Sequence, residues 1–245
     1  MILWEIIAPR RQILISRWQR WSVNFSLSIL NILIMRISIA TAAVWAANIA
    51  MEYKWGLLNL ILLPNAIKLI LGLVLLDLAI YGQHRASHRW SWLWRLHKIH
   101  HTDLDFDVTT AIRFHPIEIF LSMSYKVICI LIIGASPSAV ILFEIILSSC
   151  ALFNHSNIKI PLSVDKVLRL FIVTPDMHRV HHSVIKHETD SNYGFSISLW
   201  DRLFNSYIDQ PKLGHTNMKI GLAQYQQVED VKIPRLLLMP FKRAL

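Results

Sequence analysis

Long, nearly unbroken apolar runs separate the polar segments of this chain, and runs of that length leave few ways to fold. Residues 26–50 and 57–81 each approach or exceed the roughly 20 residues an α-helix needs to cross the hydrocarbon core of a bilayer. There the backbone groups must be satisfied within the helix itself. Arg36 interrupts the first run; Pro64, Asn65 and Lys68 lie inside the second, where Pro64 removes a backbone donor and is expected to kink the helix. Six residues join the two runs, which favours an antiparallel pair. Two shorter runs, 117–133 and 138–153, flank Gly134-Ala135-Ser136-Pro137-Ser138, which reads as the turn of a helical hairpin that either crosses or enters shallowly. Only 17% of residues are charged and 54% are hydrophobic, too few charges to cover a water-facing surface. The expected fold is all-α: an integral membrane bundle of about four membrane helices, with the polar segments forming a helical cap.

The ends read differently. Residues 1–25 are basic and rich in tryptophan (Trp4, Trp18, Trp21), without a clean helical apolar face, and their composition suits an interfacial anchor. The 211–245 tail, with Pro211, Pro234, Pro240 and scattered charge, reads as a surface extension. The net charge of +9 comes from basic residues that flank the apolar runs, which suits anionic lipid and not nucleic acid. The N-terminal arginines and Arg85, Arg89, Arg95, Lys98 and Arg113 face only Lys54 in the 51–56 link, so the N-terminus and the histidine-rich segments are expected on the cytoplasmic side. Cys129 and Cys150 lie in apolar stretches and are expected to pack.

The chain has 12 histidines, and eight fall into three clusters: His84-Arg-Ala-Ser-His88, His97-Lys-Ile-His100-His101 and His178-Arg-Val-His181-His182. At 12 histidines in 245 residues, a single His-x-x-His-His match is expected about 0.03 times per chain, and here there are two. On a helix, positions i and i+4 lie about 40° apart and i and i+3 about 60° apart, so each cluster projects from one face. Such a face is a poor core and a poor lipid contact but a good set of ligands for a borderline metal. Eight imidazoles exceed what one tetrahedral zinc can use, so two metals are the simplest reading. His155, at the end of an apolar helix where an unpaired imidazole is costly, is a ninth candidate ligand. His115 stays open between ligand, ligand support and structure, and His187 and His215 are read as hydrogen-bonded or exposed.

The pattern resembles the fatty acid hydroxylase and sterol desaturase superfamily over roughly residues 75–210, and looks closest to its bacterial-type sterol desaturase members. The agreement extends to Asp77 and Tyr81, Leu93-Trp94-Arg95, Arg113-x-His115-Pro116, Thr174-Pro175-Asp176-Met177, Asn192-Tyr193-Gly194 and Leu199-Trp200-Asp201-Arg202-Leu203-Phe204. Asn205-Ser206 stands where the family commonly has Gly-Thr. The resemblance implies a catalytic region over 82–210 with a di-iron, non-haem centre held by His84, His88, His97, His100, His101, His155, His178, His181 and His182. Zinc is expected as a substitute for iron in purified protein. Site roles for Asp77, His115, Asp176, Asn192 and Asp201 are implied in the same way. So is hydroxylation or desaturation of a lipid C–H bond with dioxygen and two electrons from a donor protein or reductase. Asp103, Asp105 and Asp107 read either as hydrogen-bond partners of ligand imidazoles or as a solvated acidic loop. The rival reading from another class is a non-catalytic membrane metal carrier, sensor or structural site. A transporter, however, would place its ligands inside its spans, and these clusters lie in polar segments.

Overall fold

A computed structural model describes residues 1–38 and 41–242. Its helices are α1 (Ile2–Ile7), α2 (Arg17–Ser38), α3 (Ala42–Glu52), α4 (Leu57–Leu60), α5 (Asn65–Arg89), α6 (Ser91–His101), α7 (Pro116–Ile133) and α8 (Pro137–Asn154). They continue with α9 (Leu162–Leu168), α10 (Pro175–His181), α11 (Lys186–Thr189), α12 (Leu199–Leu203), α13 (Gly214–Asn217) and α14 (Ile233–Leu238). The described residues form no strand, only isolated bridges such as Pro9 with Ile158. The all-α expectation holds.

Three described helices are long and apolar enough to cross a membrane: α5, α7 and α8, with mean hydropathies of 1.7, 1.9 and 1.7. The 26–50 run, expected as one span, is divided between α2 and α3, with the junction at 39–40 outside the described residues. At 11 residues α3 measures only about 16 Å, half of a hydrocarbon core. It presents Ala43, Ala46, Ala47 and Ala50, small residues at helical spacing that let α7 and α8 approach closely. Leu76 and Ile80 of α5, Ile130 of α7, and Val140 and Phe143 of α8 complete that core.

Pro64 does not kink a helix. It occupies the N-cap of α5, where its missing N–H would have had no intrahelical partner in any case. From there α5 runs on past the apolar stretch to Arg89, so the first histidine pair rides on the spanning helix itself. The hairpin forms as expected: Gly134 caps α7 in the left-handed conformation (φ 72°) and the Ser136 hydroxyl accepts from Ala139 N–H at 3.2 Å to open α8. A Cβ on Gly56 would fall 2.2 Å from the Gly134 backbone nitrogen, so this turn and the loop before α4 meet backbone to backbone.

Both ends are more deeply engaged than expected. The α1 helix exposes Ile2, Leu3, Trp4, Ile6 and Ile7 and buries its single charge, Glu5, whose carboxylate accepts from Val108 and Asn157 N–H. The tail is not a mere surface extension, because its apolar residues Leu236 and Met239 pack against Leu27 of α2 and Ile99 of α6. The physical reason is that a leucine-rich turn gains more by closing over α6 than by remaining in solvent.

Candidate metal centre

The helix ends that meet at one face of the bundle carry the histidines. The C-terminal turns of α5 supply His84 and His88, α6 supplies His97, His100 and His101, the C-cap of α8 is His155, and α10 with its C-cap supplies His178, His181 and His182. They sort into two groups: His84, His88, His97, His101 and His181 in one, and His100, His155, His178 and His182 in the other. Within each group one nitrogen per ring lies within 4.8 Å of all the others, and every ring is buried. All nine candidate ligands of the sequence are therefore brought together.

Hydrogen bonds fix how the rings face. His84 Nδ1–H donates to the Tyr193 carbonyl at 2.8 Å, His181 Nδ1–H to the Ser191 carbonyl at 2.6 Å and His155 Nδ1–H to the Ala151 carbonyl at 2.8 Å. His100 Nδ1–H donates to the Arg113 carbonyl at 3.2 Å. Two carboxylates do the same work: Glu118 on His97 Nδ1 at 2.6 Å and Asp190 on His88 Nδ1 at 3.4 Å. With each proton on Nδ1, the bare Nε2 points inward, and Nε2 of His84, His88, His97 and His181 is buried without a protein partner. In the other group the Nε2 atoms of His100 and His178 each stand 3.1 Å from that of His155. Because His100 and His155 both spend their proton elsewhere, two lone pairs face each other across that gap. A shared cation removes the repulsion, and neutral imidazole is the form that binds one.

The protonation states agree. Burial, reinforced by neighbouring imidazoles, holds His100, His101, His178 and His182 well below the ordinary histidine value. Burial brings His155 to about 4 and His181 to about 3.

Behind the imidazoles lies a frame of polar side chains. Asp201 accepts from the Tyr193 and Gly194 N–H groups, both at 2.8 Å, and so aims the Tyr193 carbonyl at His84. Gly194 is needed there, since a Cβ would sit 2.8 Å from Asp201 Oδ2. Burial raises the Asp201 carboxyl to about 6. Asn192 takes a left-handed φ of 47°, donates to the Met177 and Ile208 carbonyls and accepts from Ile208 N–H, tying α10 to the segment after α12. Asp77 accepts from Trp200 Nε1–H at 2.8 Å and Ile197 N–H at 3.2 Å, locking the loop before α12 onto α5. Asp176 binds Arg10 and Arg179, with His215 Nε2 at 3.6 Å. None of these four touches a ligand imidazole; they position the segments that do. His115 lies outside both groups. It caps α7, accepting from Ile117 N–H at 3.1 Å, and donates from Nε2 to the Leu237 carbonyl at 3.3 Å.

Other expectations need correction. Asp103, Asp105 and Asp107 are neither solvated nor bonded to ligand imidazoles. They are buried under N-terminal arginines: Arg20 reaches Asp103 at 2.7 Å and Asp107 at 2.5 Å, and Arg11 lies 3.6 Å from Asp105. Arg179 is fully buried. Trp94 packs on His88, with ring centroids 4.9 Å apart, while Trp90 and Trp92 stay exposed as an interfacial belt requires. His187 is exposed as expected, whereas His215 is buried beside Asp176. Asn205 adopts φ 55°, a conformation glycine enters freely and asparagine tolerates, and the Ser206 hydroxyl donates to Asp201 at 2.7 Å. The departure from Gly-Thr therefore preserves the turn. Sequence reasoning missed Glu118 and Asp190 as imidazole partners. The signal for Glu118 was a lone carboxylate in the first turn of an apolar helix, a costly placement without a partner.

A cavity of about 400 Å³ opens beside His84 and His97 and extends between α2, α5, α7 and α8. Ile32, Ile80, Ile119, Met123 and Leu147 give it apolar walls, a volume and lining suited to a small lipid.

Residues 69–206, more than half of the chain, match the fatty acid hydroxylase family model. The chain belongs to that family. As a member it is 29% identical over 157 residues to the ornithine lipid hydroxylase OlsE of Rhizobium tropici, covering 64% of this chain and 46% of that protein. It is 30% identical over 132 residues to the human alkylglycerol monooxygenase, covering 54% and 28% of the two chains. Human lathosterol oxidase is 31% identical over 161 residues, covering 64% and 48%. The match thus spans less than half the length of each of these relatives. No solved structure matches.

Proposed function

We propose that this family member is a membrane-bound oxygenase that hydroxylates or desaturates a C–H bond of a lipid at a di-iron centre. The observation that carries the reading is the pair of buried imidazole groups with inward, bare Nε2 atoms at the mouth of an apolar cavity. His84, His88, His97, His101 and His181 would hold one iron, and His100, His155, His178 and His182 the other. Bound iron supplies the activation of dioxygen that no side chain provides. The chain's own residues hold the imidazoles neutral and oriented, while the walls of α2, α5, α7 and α8 present the substrate and exclude water. That the relatives carry the names of lipid hydroxylases, a monooxygenase and a sterol oxidase supports the substrate class.

The C-terminal ends of α5 and α8 and the N-terminal end of α7 all meet the histidines, and Arg20 of α2 binds Asp103 beside them. That arrangement supports placing the N-terminus and the centre on one side of the membrane, and the surplus of basic residues there favours the cytoplasmic side. The outward apolar face of α1 suits burial in the interface. Two electrons would arrive from a donor protein or reductase at that surface. The test is iron and zinc per chain in detergent-purified protein, followed by dioxygen consumption with reductant and a membrane-lipid extract. About two irons with lipid-dependent uptake is the expected result; zinc alone, with no uptake after iron reconstitution, would overturn the proposal.

A further inference from the structure

One wall of the cavity is not apolar. Along α7, Glu118, Ser122 and Lys126 recur every four residues and so form a single stripe. Each is engaged across the cavity: Glu118 with His97, Ser122 with Gln83 of α5 at 2.5 Å, and Lys126 with Glu144 of α8 at 2.6 Å. All six side chains line the same cavity. The stripe begins at the metal centre and climbs eight residues, about 12 Å, toward the middle of the hairpin.

The Lys126–Glu144 pair is the unusual part. Ionisable groups within a spanning hairpin are expensive, and such residues mark substrate or ion pathways more often than they stabilise packing. Register between α7 and α8 needs no ion pair, because the Gly134 turn and the Ile130, Val140 and Phe143 contacts already set it. The Lys126 ammonium has three N–H donors and, among the described residues, makes one hydrogen bond, to Glu144. Glu144 keeps about a third of its side chain exposed, at 35%. The pair thus offers donors and an acceptor to whatever fills the cavity, at a fixed distance from His84 and His97.

We infer that Lys126 and Glu144 form the recognition site for a hydrogen-bonding oxygen of the lipid substrate, a hydroxyl, ether or ester carbonyl. That oxygen lies about 12 Å along the chain from the carbon presented to the imidazoles. A plain hydrocarbon leaves the pair unsatisfied and is discriminated against, because a site built to hydrogen-bond an oxygen rejects the analogue that lacks it. The inference rests on reading the centre as a lipid oxygenase, but its test needs no turnover.

Zinc-loaded protein in detergent is equilibrated with tritiated hexadecan-1-ol or tritiated hexadecane, each corrected for its partition into empty micelles. Wild type is expected to retain the alcohol at least about tenfold more tightly, equivalent to about 1.4 kcal/mol. Lys126→Met should lose most of that preference. The double variant Lys126→Met/Glu144→Leu removes both charges together, avoids an unpaired buried ion, and should retain hexadecane as well as or better than wild type. Equal retention of both probes by wild type would overturn the inference. So would an undiminished preference in a double variant that elutes and melts as wild type does, since the pair would then be a tie between helices. An intact preference in protein that shows no oxygen uptake would support the recognition site and count only against the oxygenase reading.

Discussion

Replacing Arg20 with methionine tests whether the N-terminal segment is part of the frame of the metal centre. Arg20 is almost fully buried and donates to both oxygens of Asp103, at 2.7 and 2.9 Å, and to Asp107 at 2.5 Å. Burial alone would raise the Asp103 carboxyl, yet Arg20 and then Arg113 hold it well below the usual carboxylate range. A carboxylate depressed in this way contributes stability above its unfolded value, near 3.9, that is lost as pH falls through the folded value. Without Arg20 the balance reverses. Burial then weighs against the Asp103 carboxylate with only Arg113 and the Thr110 hydroxyl left to offset it, a cost relieved when Asp103 takes up a proton. Removing one partner of a buried pair costs about 3–5 kcal/mol, or roughly 6–20 °C in melting temperature for a chain of this size. Arg20→Met should therefore melt lower than wild type at pH 8, and the gap should narrow toward pH 5. Asp103→Asn in the same background should restore part of the loss. Thermal unfolding by intrinsic fluorescence in detergent reads all of this. A melting temperature within 2 °C of wild type at pH 8 would refute the reasoning and return the N-terminus to the role of a simple anchor.

Three further outcomes are expected. Glu118→Gln weakens the acceptor that orients His97 and should lower metal affinity about 10–100-fold, measured by chelator competition; unchanged affinity would remove Glu118 from the centre. His100→Ala and His181→Ala should each lower bound metal and abolish turnover, while His187→Ala, at an exposed position, should leave both intact. Full activity in either of the first two would break the ligand assignment. Because burial depresses His155 to about 4 and His181 to about 3, their stabilising contribution is complete above about 6.5 and is lost as pH falls toward those values. Chelator-treated protein should melt at similar temperatures at pH 7 and 8 and progressively lower from 6.5 to 4; a flat profile across that range would show that the rings are not neutral in the fold.

The grouping of the candidate ligands was legible because their spacing is local: i, i+3 and i+4 on short helices needs no tertiary information, and His155 announced itself as an imidazole closing an apolar helix. The hairpin turn was legible for the same reason, through Gly134 and Ser136. What escaped was pairing at long range. Nothing in the local sequence joins Arg20 to Asp103 or Arg10 to Asp176, partners 83 and 166 residues apart. A basic N-terminus and an acidic loop each resemble solvated segments until they are seen to bury each other. Pro64 misled because one residue type both breaks helices and starts them, and only the chain before it decides which. Asp77, Asn192 and Asp201 hold the 191–208 segment and α10 in place without touching an imidazole, contacts that no spacing rule reveals.

The α5 helix runs unbroken from Pro64 to the turn that carries His84 and His88. Its 25 residues measure roughly 37 Å, longer than a hydrocarbon core of about 30 Å. Anchor and ligand platform are thus one rod with no hinge between them. With the proposed function, the centre would keep a constant height relative to the lipid around it, and the methylene of a lipid substrate standing at that depth would be the one offered for oxidation. A thinner bilayer, which forces a long span to tilt, would tip the histidines with it, and in the proposed oxygenase membrane thickness would become a physical input to regioselectivity.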